Sequence, residues 1–234
     1  MPAITPTPST QPAAAAGGIA GHARYLGAQI AADLGRKMVL LGGPRRVGKT
    51  RLGMALPQRV GKPLSINALR EDLQVAHATL ARWLDVLERL YAFFRIAPFG
   101  ATLLRAVRKE RKHYHYDWTV VESLPARFEN LVASHLLKWA DYQTDTQGRG
   151  IELRYFRDSD GREVDFVVTD HAATPLAFFE CKWGDEPPAP ALRYLRQRFA
   201  TVPAWQISAV GTRDFITPDG IRVAPATVLL RELA

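Results

Sequence analysis

The segment GGPRRVGKT constrains this chain most, because it specifies a loop conformation and the kind of ligand that such a loop holds. Residues 43–50 fit the pattern G-x-x-x-x-G-K-[ST], and the apolar run KMVLLG precedes the loop. Backbone N–H groups in such a loop turn inward around a phosphate, while the lysine contacts the outer phosphates and the hydroxyl contacts Mg²⁺. The pattern therefore predicts a binding loop for ATP or ADP, formed by Gly43, Gly48, Lys49 and Thr50.

The sequence beyond this loop lacks a second element that nucleotide hydrolysis requires. Hydrolysis needs an apolar strand that ends in an acidic residue, which holds Mg²⁺ and orients the attacking water. Only RLGMALPQRVGKP separates Thr50 from Leu64, and this segment cannot supply that strand. We therefore expect a remnant of a P-loop domain, either a relic or a weak nucleotide binder, that has lost hydrolysis.

Charge and cysteine content narrow the setting in which the protein works. Lys and Arg number 31 against 23 Asp and Glu, a net charge of +8, which favours nucleic acid, and first of all DNA, as a partner. Cys181 is the one cysteine, so no internal disulfide can form, as is usual in a reducing cytosol. The N-terminus lacks the features of a signal peptide, and no apolar stretch reaches the ~18 residues of a membrane span. We expect a cytoplasmic protein without a membrane segment.

Four segments can be distinguished along the chain. Residues 1–18, rich in Pro, Ala and Thr, are expected to form a disordered tail. The P-loop remnant covers 19–60, a winged helix-turn-helix covers 61–117, and a mixed domain of helices and strands covers 118–234. The expected fold class is therefore α/β, of the α+β kind.

The middle segment has the order of elements of a winged helix. SINALREDLQV predicts a short helix with Ser65 as N-cap, and AHATLARWLDVLERLYAFF predicts a longer one after a tight turn near Gln74. FRIAPF and KHYHYDW predict two strands around a basic wing, LLRAVRKERK. Five of its residues can lie along a DNA backbone: Arg105, Arg108, Lys109, Arg111 and Lys112. A solvated basic loop with no ligand is the alternative.

The last segment mixes helices and strands. RFENLVASHLLKWA and APALRYLRQRFA are predicted to be helices. ELRYF and REVDFVV are predicted strands joined by the turn sequence Asp-Ser-Asp-Gly. LAFFECKW, AWQISAV and the region around IRVAPATVLL are predicted to add further strands.

Charged residues on two of these strands form a second candidate site. Strand alternation places Asp165 on the same face as Glu163 and Val167, and Glu180 on the same face as Lys182. If the strands pair, Asp165 and Glu180 come together. Two carboxylates in this arrangement can bind Mg²⁺ or Mn²⁺ through hard oxygen ligands.

The remaining residues of this candidate site have assignable roles. Lys182 would activate the attacking water and stabilise charge at phosphorus, while the metal polarises the phosphate. Glu129, on the preceding helix, would complete the acidic cluster. An amphipathic hairpin whose charges only pair across the strands is the alternative.

Taken in order, these motifs resemble a family of prokaryotic AAA-type ATPases that carry a C-terminal domain of unknown function. The resembling phrases span about residues 36–183 and are VLLGGPRRVGKT, PLSINALREDLQVAHATLARWLDVLERLYAFFRIAPF, KHYHYDW, RFENLVASHLL, REVDFVV and FFECKW. The resemblance implies an ATPase domain, a winged helix and a restriction-endonuclease-like mixed-sheet domain of the PD-(D/E)xK nuclease type. By position, Asp165 matches the metal-binding aspartate of that family. Glu180 and Lys182 match its (D/E)-x-K pair, and Glu129 matches the acidic residue of its first helix.

The chain departs from this family in the P-loop domain. Family members have a long stretch between the glycine loop and the winged helix, and it holds the acidic strand and most of the ATPase sheet. This chain lacks that stretch, with the join near residues 51–61, and so resembles an internally deleted member.

Two functions follow from these patterns. In the first, a truncated ATP-binding protein binds DNA through its winged helix and cleaves phosphodiesters with Mg²⁺ or Mn²⁺ at Asp165 and Glu180. In the second, both activities are lost, and the chain is a non-catalytic nucleotide- or DNA-binding module.

The missing acidic strand generates a first prediction. We expect purified protein to show no Mg²⁺-dependent ATP turnover above that of the Lys49→Ala variant, because no residue orients the attacking water. Phosphate release measured on both proteins tests this. Turnover by the wild type that Lys49→Ala abolishes would contradict the loss of hydrolysis.

Overall fold

A computed structural model describes residues 49–100 and 111–233 of the chain, with side chains from Arg51 onward. Three helices lie in its first part: α1 Lys49–Ala55, α2 Ile66–Leu73 and α3 His77–Arg89. The Ala68 N–H donates to the Ser65 hydroxyl at 3.3 Å, which confirms Ser65 as the N-cap of α2. Gln74 adopts a left-handed conformation, with φ of 53°, and ends that helix, so the predicted helix, turn and helix are confirmed.

The three helices share one apolar cluster. It is made almost entirely of leucines that recur at helical spacing, and it also includes the first residue of the sheet. Its buried members are Leu52, Leu56, Leu64, Leu69, Leu73, Leu80, Leu84 and Phe93. Burying these side chains fixes the helices against the edge of the sheet.

Eight strands form one mixed sheet within the described residues. They are β1 Phe93–Pro98, β2 Lys112–His115, β3 Glu152–Arg157, β4 Glu163–Thr169, β5 Pro175–Lys182, β6 Ala204–Ser208, β7 Phe215–Ile216 and β8 Ile221–Pro225. Their order is β2-β1-β3-β4-β5-β6-β8-β7. The pairs β1–β3, β5–β6 and β6–β8 are parallel, and the others are antiparallel. The sheet is continuous across the predicted segment boundary at residue 117.

Helices cover both faces of this sheet. The helix α4 Leu124–Gln147 packs Val132 and Leu136 against one face, and α5 Pro190–Arg198 packs Leu192 and Leu195 against the other. Strands covered on both faces carry continuous apolar runs, and in β4 the consecutive residues Phe166, Val167 and Val168 are all buried. Although α4 is 24 residues long, neither it nor any other helix of the described ranges is suited by length and apolarity to cross a membrane.

The end of the chain differs from the prediction. IRVAPATVLL was predicted as strand, but β8 ends at Pro225 and the helix α6 Ala226–Glu232 follows. Proline has no N–H to continue the ladder, and its fixed φ suits the start of a helix. The turn buries Leu229 against the α4 side of the sheet.

The edge strand β2 is held by a side chain of α4. The buried Asn130 accepts a hydrogen bond from the His115 N–H at 2.8 Å and donates to the His115 carbonyl at 2.7 Å. One amide group therefore satisfies both backbone groups of an edge residue that has no strand on that side. This contact positions the N-terminal half of α4 against β2.

We predict that Asn130→Leu destabilises the protein by on the order of 2–3 kcal/mol. The substitution leaves the buried His115 N–H without a partner and leaves its C=O with only the Ser134 hydroxyl, 3.2 Å away. A buried polar group that loses its partner costs about 1–3 kcal/mol. Urea unfolding measures the change. Lys138→Leu, at an exposed position of the same helix, serves as the control and should stay within about 0.5 kcal/mol of the wild type. Equal stability of the two variants would contradict the role of Asn130.

Candidate functional site

A shift of register in β4 positions Asp165. The β3–β4 pairing shifts by one residue there, so that Asp165 and Phe166 together lie opposite Tyr155. Such a bulge re-aims side chains relative to simple alternation. Val167 packs in the α5 layer, whereas Asp165 lies with Lys112 on the α4 side. The prediction that Asp165 and Val167 share a face is therefore wrong, and the bulge is the reason.

The predicted pairing of REVDFVV with LAFFECKW is confirmed, and it brings Asp165 beside Glu180. Phe166 pairs with Phe179 in the antiparallel β4–β5 ladder. The Asp165 N–H donates to Glu180 Oε2 at 3.4 Å, and the Cys181 N–H donates to Asp165 Oδ2 at 2.8 Å. Each of the two carboxylates thus accepts a backbone hydrogen bond from the strand that carries the other.

Glu180 and Lys182 form an ion pair next to Asp165. Lys182 Nζ lies 2.9 Å from Glu180 Oε1, and the Glu180 side chain is buried while that of Lys182 is about a quarter exposed, at 26%. Burial, followed by the nearby charge of Asp165, raises the pKa of Glu180 to about 7. The carboxyl therefore takes up a proton near neutral pH more readily than an exposed glutamate does.

A buried lysine lies at the centre of a second group of carboxylates. Lys112, on β2, is 1% exposed, and its Nζ lies 2.6 Å from Glu163 Oε1, 3.7 Å from Glu129 Oε1 and 3.8 Å from Asp165 Oδ1. Burial alone would lower the pKa of Lys112, but the carboxylates Glu129, Asp165 and Glu163 together raise it. The side chain is therefore an ammonium. We call Lys112 with Glu129, Glu163 and Asp165 the Lys112 cluster.

Glu129 connects this cluster to the helix α4. The Tyr114 hydroxyl donates to Glu129 Oε1 at 2.7 Å. Burial and the neighbouring Asp165 raise the pKa of Glu129 to about 8, although Lys112 and Tyr114 act in the opposite direction. Of the four predicted catalytic residues, Glu129 thus lies on the Lys112 side of Asp165, and Glu180 with Lys182 lies on the other.

The residues do not fit the Mg²⁺ or Mn²⁺ that the resemblance implies. A hard cation requires carboxylate oxygens free to coordinate it at about 2.0–2.6 Å. Instead, Glu163 contacts the Lys112 ammonium, Asp165 Oδ2 accepts the Cys181 N–H, and Glu180 contacts the Lys182 ammonium. In the part of the chain that the structure describes, no group of three or more His, Cys, Asp or Glu residues is placed to hold a metal ion.

A pocket opens beside Glu129 and Lys182. Its volume is about 280 Å³, and its walls come from the segment after α1, the start of α4 and the end of β5. Lys62, Ser123, Lys182 and Trp183 line it together with Glu129. The pocket is thus lined by two lysines, a serine and an exposed tryptophan beside one glutamate.

Gly61 allows the chain to pass close to this carboxyl. The residue has a φ of +74°, and a Cβ atom added there would lie 2.8 Å from Glu129 Oε1. Only a glycine fits a left-handed conformation with so little room. Gly61 is therefore part of the wall that closes the pocket over Glu129.

The other predicted site residues lie partly outside the described residues. Gly43, Gly48, Arg105, Arg108 and Lys109 are among those the structure does not describe. Lys49 and Thr50 begin α1, of which only the backbone is described at these two positions.

Two residues of the predicted wing are described, and they differ from each other. Arg111 is exposed, as predicted for a basic wing. Lys112 was predicted to be exposed in the wing, but its side chain is buried in the Lys112 cluster and cannot reach a phosphate from there. Alternation in KHYHYDW already indicates this difference, because Lys112 lies two residues from the buried Tyr114 and so shares its face.

Two family models match the chain. A domain of unknown function, DUF8612, matches residues 12–130, just over half of the chain, and the chain belongs to that family. A second domain of unknown function, DUF4143, matches residues 126–228 and is often found with AAA ATPases, which fits the resemblance in a general way. No curated protein and no solved structure matches the chain. The two matches overlap at residues 126–130, which include Glu129.

The raised pKa values of Glu129 and Glu180 predict a stability that falls with rising pH. Between about 4.5 and 8 for Glu129, and between about 4.5 and 7 for Glu180, the folded protein keeps protons that the unfolded chain has released. Unfolding is therefore favoured progressively as the pH rises through these windows, and the effect levels off above them.

Thermal unfolding from pH 5 to 9 measures this dependence. Glu129→Gln keeps an acceptor for Tyr114 but has no proton to lose, so we expect a clearly smaller fall of Tm with pH than in the wild type. Glu122→Gln, at an exposed position, is the control and should retain the dependence of the wild type. The same pH dependence in Glu129→Gln and the wild type would contradict the assignment.

Proposed function

We propose that this chain binds nucleic acid, in the first instance single-stranded DNA, at the pocket beside Glu129 and Lys182, and that it does so without cleaving it. The observation that carries this proposal is the composition of the pocket wall. Lys62 and Lys182 supply ammonium groups, Ser123 supplies a hydroxyl, and Trp183 supplies an aromatic face. Phosphate contacts by lysine and base stacking on an aromatic ring are the usual elements of single-strand binding.

The size of the pocket supports a small unit of nucleic acid. Its volume of about 280 Å³ lies just below the ~300 Å³ at which the range of known ligand pockets starts. A pocket of this size limits the proposed ligand to a small unit and excludes a duplex. The net charge of +8 favours approach of a polyanion.

The helices α2 and α3 supply less to this proposal. With β1 and β2 they follow the order of a winged helix, which supports DNA binding by analogy alone. Asp85 and Glu88 of α3 form ion pairs with Arg95. This side of the helix therefore carries acidic groups, which do not favour a nucleic-acid backbone. We therefore place the nucleic acid at the pocket rather than on α3.

Nucleotide binding at the glycine loop is a separate part of the proposal. It is supported by the motif at residues 43–50 and by the match to a domain that is often found with AAA ATPases. On this account the protein is a truncated relative of those ATPases that holds ATP or ADP and does not hydrolyse it.

Cleavage of the phosphodiester is a second candidate function, favoured by one observation. Asp165, Glu180 and Lys182 are adjacent, as the PD-(D/E)xK resemblance requires. Nicking of plasmid DNA with added Mg²⁺ or Mn²⁺ distinguishes the two functions. We expect no nicking above that of Glu180→Ala and Lys182→Ala. Nicking by the wild type that both substitutions abolish would replace binding without cleavage by a nuclease function.

Binding at the pocket predicts distinct effects for two of its residues. Trp183→Ala removes the stacking surface and should weaken binding of a short labelled single-stranded DNA roughly 5- to 150-fold, the equivalent of about 1–3 kcal/mol. Lys62→Gln should weaken binding moderately and reduce the salt slope of log K by about 0.7, because one phosphate contact is lost. Fluorescence anisotropy at several salt concentrations measures both.

Lys138→Gln is the matched control, since Lys138 is an exposed lysine outside the pocket. We expect its affinity and salt slope to stay close to those of the wild type. Equal effects of Lys62→Gln and Lys138→Gln, with no effect of Trp183→Ala, would move binding away from the pocket.

A further inference from the structure

We infer that the Lys112 ammonium takes the place of a divalent cation in the acidic site, so that the Lys112 cluster is a metal-independent ion network. The inference concerns the carboxylates themselves and does not rest on nucleic-acid binding. It explains why residues that match a metal site by position do not form one.

The position of the ammonium is the first argument. Lys112 Nζ lies within 3.8 Å of one oxygen from each of Glu129, Glu163 and Asp165. Of these three residues, Asp165 is the one that the resemblance assigns to metal binding, and Glu129 matches the acidic residue of its first helix. A lysine side chain supplies one positive charge at the point where the three carboxylates converge.

Mutual exclusion is the second argument. A divalent cation coordinated by Asp165 and Glu129 would lie a few ångströms from the Lys112 ammonium. At that separation and inside the protein, like charges repel strongly because little water screens them. The ammonium and the metal are therefore alternatives for the same carboxylates.

The anchoring of Lys112 is the third argument. Its backbone pairs with Ile96 in β1 and forms an isolated bridge with Pro63, so the residue is held from both sides. Its Nζ lies 5.3 Å from the centre of the Tyr155 ring, a distance at which a cation is attracted to an aromatic face. The side chain is 1% exposed, so the ammonium has no hydration shell to return to without leaving the core.

Other groups of the chain also contact these carboxyl groups, and Arg157 Nε lies 3.6 Å from Glu163 Oε2. Glu129 Oε1 accepts the Tyr114 hydroxyl, and Asp165 Oδ2 accepts the Cys181 N–H. Binding a metal would break these contacts as well as displace the ammonium. The chain itself thus provides several of the contacts that a metal would have to replace.

Titration of the intact protein with Mn²⁺ tests the inference directly. We expect isothermal titration calorimetry to detect no binding at this cluster, and we expect EDTA or Mn²⁺ to leave the Tm of the wild type unchanged. Binding of one Mn²⁺ to the wild type that Asp165→Asn abolishes would overturn the inference.

Removal of the ammonium should create the metal site. Lys112→Met replaces the ammonium with an apolar side chain one atom shorter and leaves three carboxyl groups without their cation, so this variant should be less stable and should gain Mn²⁺ binding. Saturation at 100 times the Kd shifts the unfolding equilibrium constant by about 100-fold, which thermal unfolding detects as a rise in Tm. Lys138→Met, which removes an exposed lysine, should show neither effect.

A second variant covers the case in which Lys112→Met does not fold alone. Glu163→Gln combined with Lys112→Met removes one of the unpaired charges and retains Glu129 and Asp165 as ligands. Gain of Mn²⁺ binding by either lysine variant, with none in the wild type, supports the inference. Absence of Mn²⁺ binding in a folded lysine variant would overturn it. If neither variant folds, the wild-type titration decides the outcome.

Discussion

The ion network around Lys112 connects elements that are distant in the sequence. Its ammonium comes from the edge strand β2, and its carboxylates come from α4 and from β4. It therefore spans the two segments matched by separate family models, residues 12–130 and 126–228. Breaking one partner of such a buried network costs more than a surface pair contributes, because the remaining charges are left without compensation. This coupling adds to the β1–β3 pairing that joins β2 and the C-terminal strands in one sheet.

The pocket depends on the same network. The Glu129 carboxyl accepts a hydrogen bond from the Tyr114 hydroxyl. Gly61 passes so close to the same carboxyl that a side chain at this position would collide with it. The segment after α1 can therefore close over the start of α4 and carry Lys62 to the pocket wall. Binding and ion network share one carboxyl, but the proposed ligand contacts lie on the solvent side of it. The Lys112 cluster is thus structural, and the proposed binding surface lies next to it.

Sequence patterns predicted most of the regular structure and about half of the site. Helical periodicity and the Ser65 cap located α2 and α3, and strand alternation with a turn signal located the pairing of Asp165 with Glu180. Alternation failed at Asp165 because a bulge is a property of the strand pair, not of one strand. Lys112 was assigned to the basic wing because local sequence shows its charge but not the carboxylates, which lie at least 17 residues away and reach it only through the fold.

The central claim is that a lysine ammonium, not a metal ion, neutralises the acidic cluster. Anomalous diffraction from crystals soaked in MnCl₂ tests it most directly. The account predicts no manganese peak among Glu129, Glu163 and Asp165, with Lys112 Nζ in contact with Glu163. A manganese peak bound by Asp165 together with Glu129 or Glu163, with the Lys112 side chain displaced from the cluster, would contradict it.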